Sequence, residues 1–236
     1  MSQIRYPHAA TKQLEDLEPL NAPPLHERIY TELLTKGLDF CPDREAEFAD
    51  SIALLGKLMQ ISRDYAAEAG PFGDLFGEYL ECNGQTNFRA GQFFTPIEMV
   101  DLTLKINLHG QDLGGRPLFL SDPAAGTGRF MLRTAKHFAE ENGGALNFLF
   151  VTVDSDRRMF TYCTMNAILN RIPAICIHGD ALTVEAWEAF GVVDDGMTVR
   201  WERVRLDVAK DLIVAGKQGQ QPVVAATRFP GVRTEG

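Results

Sequence analysis

The chain has 236 residues, 45% of them hydrophobic, enough for one medium domain with a real core or one domain with a helical extension. A net charge of −9 argues against a protein that grips DNA by itself through a broad basic face. Charged residues are interspersed, which speaks against wholesale disorder, and the apolar stretch Phe148 to Val153 is far too short to span a membrane.

The four cysteines, Cys41, Cys82, Cys163 and Cys176, form no C-x-x-C pair. Cys163 and Cys176 sit in apolar contexts and read as small core residues. The opening Met1-Ser2-Gln3-Ile4-Arg5 is no basic-then-apolar leader. The expectation is a soluble, cytoplasmic protein with no membrane contact and no metal site. From Arg200 onward basic side chains outnumber acidic ones, which reads as a solvated tail, with a local basic patch as the alternative.

In chain order, the polar, Pro-punctuated first twenty-odd residues, ending in Asn21-Ala22-Pro23-Pro24, read as an arm or loop. A helix is predicted from Leu25 to Thr35, closed by Gly37. Pro42-Asp43 opens a longer helix to Ala69, whose apolar positions Phe48, Ile52, Leu55 and Met59 step by helical spacing and predict its buried face. Gly70-Pro71 ends it, and a short helix follows at Asp74–Cys82.

From residue 91 the texture changes to alternating strands and helices. Pro117–Ser121, Asn147–Val153 and Pro173–Ile177 are short and apolar, while Arg129–Glu141 and Arg157–Asn170 are helical. Repeated β-α-β spacing predicts a parallel sheet with helices on its faces. The chain therefore divides into a helical region, 1–90, and an α/β domain, 91–236.

Leu118-Phe119-Leu120-Ser121 leads into Asp122-Pro123-Ala124-Ala125-Gly126-Thr127-Gly128 and then a helix. A strand that ends in a glycine turn and feeds a helix is the nucleotide-binding geometry of doubly wound folds. The dinucleotide fingerprint would need glycine or alanine where Met131 stands, and no P-loop pattern occurs. Asp154 follows the next strand, where an acid can accept both ribose hydroxyls of a nucleoside. Asp156 reads more plainly as a cap for the helix that starts at Arg157.

Asp122-Pro123-Ala124-Ala125-Gly126-Thr127-Gly128 resembles the cofactor motif of N6-adenine DNA methyltransferases, particularly the modification subunits of type I restriction systems. Gly91-Gln92-Phe93-Phe94-Thr95-Pro96 is similar to the family's other cofactor segment, in the same order and one helix away. Asn166 and Gly179-Asp180-Ala181-Leu182 are weaker matches, and the likeness covers roughly residues 74–183. The resemblance implies a Rossmann-like S-adenosylmethionine-dependent methyltransferase fold with a truncated sheet and an N-terminal helical extension. It implies a cofactor pocket drawn from Phe94, Thr95 and Pro96, from Asp122, Pro123, Ala124, Gly126 and Gly128, and from Asp154, Asp180 and Ala181. In it Asp122 would orient the methionine end and Asp180 would face the adenine. Thr95-Pro96-Ile97-Glu98 also reads as a capping box, with Thr95 as N-cap and Pro96 first in the helix.

The family's chemistry needs more. The adenine amine is a poor nucleophile, and the family activates it with Asn, Asp or Ser followed by Pro-Pro and an aromatic that stacks the flipped base. No such tetrapeptide occurs; Asn21-Ala22-Pro23-Pro24-Leu25 carries an inserted alanine and lacks the aromatic. Asp211-Leu212-Ile213-Val214-Ala215 resembles the strand that normally delivers it, which puts Gly216, Lys217, Gln218 and Gly219 at a degenerate motif. Lys217 is a donor only. The residues after Gly219 are too few for the family's later strands and target-recognition region, which leaves a minimised fold, pieces supplied by a partner, or a fragment of a longer protein.

Three functions follow. The first is a cofactor-binding, catalytically degenerate family member that acts as a regulator, a decoy or a subunit needing a DNA-modification or restriction partner. The second is an active methyltransferase with another substrate or non-standard residues, with His178 or Asp180 as base. The third is an interaction protein with a vestigial pocket.

Overall fold

A computed structural model describes residues 6–84, 94–109 and 117–219. The chain forms two compact units, Met1–Phe93 and Phe94–Gly236. Gly91, Gln92 and Phe93 of the expected hexapeptide lie outside the described residues, as does everything past Gly219.

The first unit is helical. Residues 9–17 are packed rather than an open arm: α1 (Ala9–Lys12) and a 3-10 turn at Glu15–Leu17 bury Ala10, Leu14 and Leu17. Those three positions share one helical face, a signal that the surrounding prolines and charges obscure. α2 (Leu25–Arg28) runs on as a π-helical stretch, Ile29–Thr35, so the expected helix is present. A 3-10 turn at Pro42–Phe48 leads into α3 (Ala49–Ala69), which Gly70 ends at φ +86°. α4 (Leu75–Cys82) is capped by Asp74, whose Oδ1 accepts the Gly77 N–H at 2.9 Å.

Glu78 of α4 ties these elements together. Its carboxylate accepts from Thr11 Oγ1 at 2.6 Å and Tyr65 OH at 3.1 Å, and meets His8 Nδ1 at 2.7 Å.

The buried face of α3 differs from the expectation. Ser51, Leu54, Leu58, Ile61 and Tyr65 continue the stripe from Phe48, while Ile52 and Met59 are 42% and 45% exposed. Two apolar stripes compete on this helix, and the one containing a serine and a tyrosine wins because Ser51 and Tyr65 find partners in Glu32 and Glu78. Leu58→Ala is therefore expected to cost about 2–5 kcal/mol in a denaturant melt. Met59→Ala should stay within about 0.5 kcal/mol; equal losses would favour the Ile52 and Met59 face instead.

The second unit is a mixed α/β layer structure. α5 (Ile97–Leu108) is followed by β1 (Leu118–Asp122), α6 (Arg129–Glu141), β2 (Phe148–Asp154), α7 (Arg157–Leu169) and β3 (Ala174–Asp180). β4 (Glu185–Asp194), β5 (Val199–Arg203) and α8 (Leu206–Gln218) complete it. The sheet order is β1-β2-β3-β4-β5; the first three strands are parallel, and β4 and β5 each pair antiparallel with the strand before.

β2 is buried along its length, so both its faces are covered. On one face Leu149, Val151, Val153, Ile175 and Ile177 pack against Leu212 and Ile213 of α8. On the other, Phe148 meets Phe138 of α6 edge-on at 4.8 Å, and Phe160 of α7 stacks on Phe190 of β4 at 5.8 Å. Cys163 and Cys176 are free and buried, as core residues.

The expected strand at Asp211–Ala215 is wrong: these residues lie inside α8. A short apolar run is ambiguous between strand and buried helix. Here Ala209, Leu212 and Ile213 fall on one helical stripe that faces the sheet. Gly216, expected at a degenerate motif after a strand, lies instead inside α8. It sits where α8 crosses β1, and a Cβ there would collide with Ser121 Oγ. Lys217 donates from Nζ to the Leu182 carbonyl at 3.1 Å, and Gly219 ends the helix at φ +63°. No described helix is long and apolar enough to cross a membrane.

Candidate cofactor site

β1, β2 and β3 run parallel, so Asp122, Asp154 and Asp180 all stand at one end of the sheet. Loops at the carboxyl ends of parallel strands are where α/β sheets bind ligands.

The turn after β1 is held from beneath. Ala125 donates its N–H to the Val153 carbonyl at 3.0 Å, which lays the turn against β2. Gly126 donates its N–H to Asp154 Oδ2 at 2.8 Å, and Asp156 donates its N–H to Asp154 Oδ1 at 2.9 Å. Each Asp154 oxygen keeps a further lone pair for a donor from outside. Asp122 Oδ1 accepts the Ala124 N–H at 3.1 Å. Asn166 of α7, 1% exposed, donates from Nδ2 to the Thr127 carbonyl at 2.9 Å and so fastens the far side of the turn.

The two glycines do different work. Gly126 adopts φ +56°, and a Cβ on it would meet only the Phe94 ring, at 3.7 Å. Gly128, at φ +91°, is buried and serves as N-cap of α6; a Cβ there would fall 2.8 Å from Cys163 Sγ and 3.0 Å from Met131 Cε. Gly126 keeps backbone approachable, whereas Gly128 lets α6 start tight against α7. Pro123 and Ala124 are exposed between Asp122 and the buried Ala125.

Burial dominates the electrostatics. It pushes the Asp154 carboxyl up to about 6, against the two backbone N–H bonds and with help from neighbouring Asp156 and Asp122. Burial pushes the Asp122 carboxyl upward too, against its bond from Ala124. Asp156 caps α7, its Oδ1 accepting the Arg158 N–H at 2.7 Å.

The Phe94 segment joins this turn from α5. Pro96, with ψ 142°, is the N-cap of α5, and no side chain caps it, so the expected capping box is not formed. The proline carbonyl accepts the Met99 and Val100 N–H groups at 3.0 and 3.1 Å, which moves the helix start one residue on from Thr95. Arg129, which belongs to no sequence motif, donates from Nη1 to the Thr95 carbonyl at 2.9 Å and lies 5.0 Å from the Phe94 ring centre.

Asp180 accepts the Leu182 and Thr183 N–H groups at 2.7 and 3.3 Å and so shapes its own turn, while Ala181 belongs to the core under α8. His178 faces the Ser155 carbonyl through Nε2 at 3.3 Å and stacks on Phe160 at 5.6 Å; burial lowers its pKa. Along the outer side of β1, Leu104, Phe119, Asp122, Phe130 and Thr134 line a cleft of about 440 Å³. Among the described residues no cluster of His, Cys, Asp or Glu has the make-up of a metal site.

A family model described as N-6 DNA Methylase matches residues 68–208. No curated protein and no solved structure matches the chain.

Proposed function

The chain belongs to the N-6 DNA methylase family, and from that premise we propose that it holds S-adenosylmethionine at the glycine turn, in a Rossmann-like methyltransferase domain, without methylating adenine alone. The family normally uses this cofactor. The observation that carries the reading is the Asp154 carboxylate, which braces Gly126 and retains lone pairs at the end of β2. Two ribose hydroxyls are donors that such a carboxylate can accept. Gly126 carries no side chain beside the Phe94 ring, where a Cβ would meet ring carbon at 3.7 Å, and so lets a ligand approach the backbone of the turn. Asp122, Thr95 and Pro96 would border the methionine end, and Asp180 the adenine end.

When bound, the cofactor supplies an electrophilic methyl group on a sulfonium. The chain's own residues bind and orient it. The sequence holds no Asn-Pro-Pro-aromatic segment to accept the adenine amine's hydrogens and stack the base. Residues 211–215, read from the sequence as the strand that delivers this segment, lie instead in α8. Methylation would then need a partner subunit that brings the acceptor site, which makes this chain a partner-dependent or regulatory component of DNA modification or restriction.

The test is calorimetry with S-adenosylmethionine, followed by incubation with labelled cofactor and DNA, with and without candidate partner subunits. We expect saturable cofactor binding and no labelled adenine from the chain alone. Labelled adenine from the chain alone would overturn the partner requirement. A folded protein that binds nothing at millimolar cofactor would overturn the cofactor reading.

A further inference from the structure

We propose that Arg129 is a positioning residue whose guanidinium clamps the Phe94-Thr95-Pro96 segment over the glycine turn and so sets cofactor affinity. The proposal rests on the cofactor reading above and deepens it.

Arg129 is the first residue of α6, directly after Gly128. A cation at a helix N-terminus opposes the helix dipole, and this one is also only 8% exposed. Both conditions are unfavourable unless the group has polar and aromatic partners in place. It has them in the Phe94 segment: the Thr95 carbonyl at 2.9 Å and the Phe94 ring at 5.0 Å. Phe94 in turn lies against Gly126, whose missing Cβ would stand 3.7 Å from the ring. Gly126, Phe94 and Arg129 thus form successive layers that join the two cofactor segments.

A flat guanidinium can lie on a ring and donate to a carbonyl at once; an ammonium has no flat face. Arg133, one turn further along α6, grips Asp101 of α5 through two bonds of 2.6 Å. It fastens the body of α5 but not the segment before it. The two arginines therefore separate local ordering of residues 94–96 from general attachment of α5.

The experiment compares Arg129→Met, Arg129→Lys and Arg133→Met in the full chain. It reads S-adenosylmethionine affinity by calorimetry, amide exchange at Met99 and Val100, and melting temperature. Arg129→Met should weaken binding about tenfold or more, from loss of a charged hydrogen bond, and speed exchange at both amides. Arg129→Lys should recover part of the affinity, since it keeps a donor but not the plate. Arg133→Met should leave affinity unchanged. Unaltered affinity in Arg129→Met, or an equal loss in Arg133→Met, would sink the clamp while leaving the cofactor reading intact. Should Arg129→Met fail to fold, Arg129→Lys decides, with unaltered affinity counting against the clamp. If the unaltered protein binds no cofactor, the cofactor reading and the affinity role fall together. Exchange then decides whether Arg129 orders the segment at all, and unchanged exchange removes that too.

Discussion

Gly128→Ala is expected to lower the stability of the α/β unit by about 3 kcal/mol, the sum of left-handed strain of about 1–2 kcal/mol and overpacking of about 1–3 kcal/mol. The strain comes from φ +91°, and the overpacking from a methyl group 2.8 Å from Cys163 Sγ. The control is Gly144→Ala, which has φ +97° but open space where its Cβ would go. It carries the strain alone and should cost about 1–2 kcal/mol. Adding Cys163→Ala to Gly128→Ala should return part of the loss, because the two sites share one contact. Denaturant melts of these three variants and the unaltered protein check this. If Gly128→Ala and Gly144→Ala cost the same, the packing of α6 on α7 does not depend on this glycine.

One glycine motif therefore holds two kinds of glycine that the sequence spells alike. The run Asp122–Gly128 marks the turn, and the strand and helix around it fall within a few residues of the expectation, because period and glycine punctuation are local signals. The division of labour between Gly126 and Gly128 is not legible in that run. It depends on Cys163, which comes from α7, and on Phe94, which comes from before α5. Asn166 stands out in the sequence only as a weak motif match, yet its side chain holds the Thr127 carbonyl. Arg129 carries no signal because a lone arginine at a helix start looks like solvent-facing charge.

The departures from expectation share a physical origin. For residues 211–215 the sequence signal is apolar content over one short window; for α3 it is a helical spacing of apolar residues, which marks the helix but fits more than one face. What decides such segments is which neighbour they meet. α8 meets the sheet through Ala209, Leu212 and Ile213, and α3 buries a serine and a tyrosine because carboxylates wait for them. The β4–β5 hairpin is hidden for a related reason. Its turn is built by Asp195, which accepts the Met197 and Thr198 N–H groups at 3.0 and 2.7 Å, in a run of charge that reads as loop.

Asp154→Asn should weaken S-adenosylmethionine binding by about 1.5–3 kcal/mol, the worth of hydrogen bonds to a charged group, and should remove most of its pH dependence. In the folded protein the carboxyl titrates at about 6, raised from its ordinary 3.8 by burial. Below pH 6 it is protonated and presents a hydroxyl donor where two ribose donors need acceptors. Affinity should therefore rise as pH climbs from 5 to 7.5 in the unaltered protein and stay nearly flat in the variant. Stability should move the opposite way. A carboxyl whose folded pKa is raised holds its proton in the native state after the unfolded chain has lost it. Stability accordingly falls as pH rises from about 4 to about 6 and levels off above. From the shift of roughly two units the cost is at most about 3 kcal/mol. Asp122, pushed upward by the same burial, leaves a residual slope in Asp154→Asn. If both halves hold, the ionised Asp154 would favour the ligand and disfavour the empty fold, as expected of a carboxylate that binds a ligand as well as bracing the turn. Calorimetric affinities and urea melts at pH 5, 6 and 7.5 test both halves. A pH-independent affinity in the unaltered protein would remove Asp154 from the ribose.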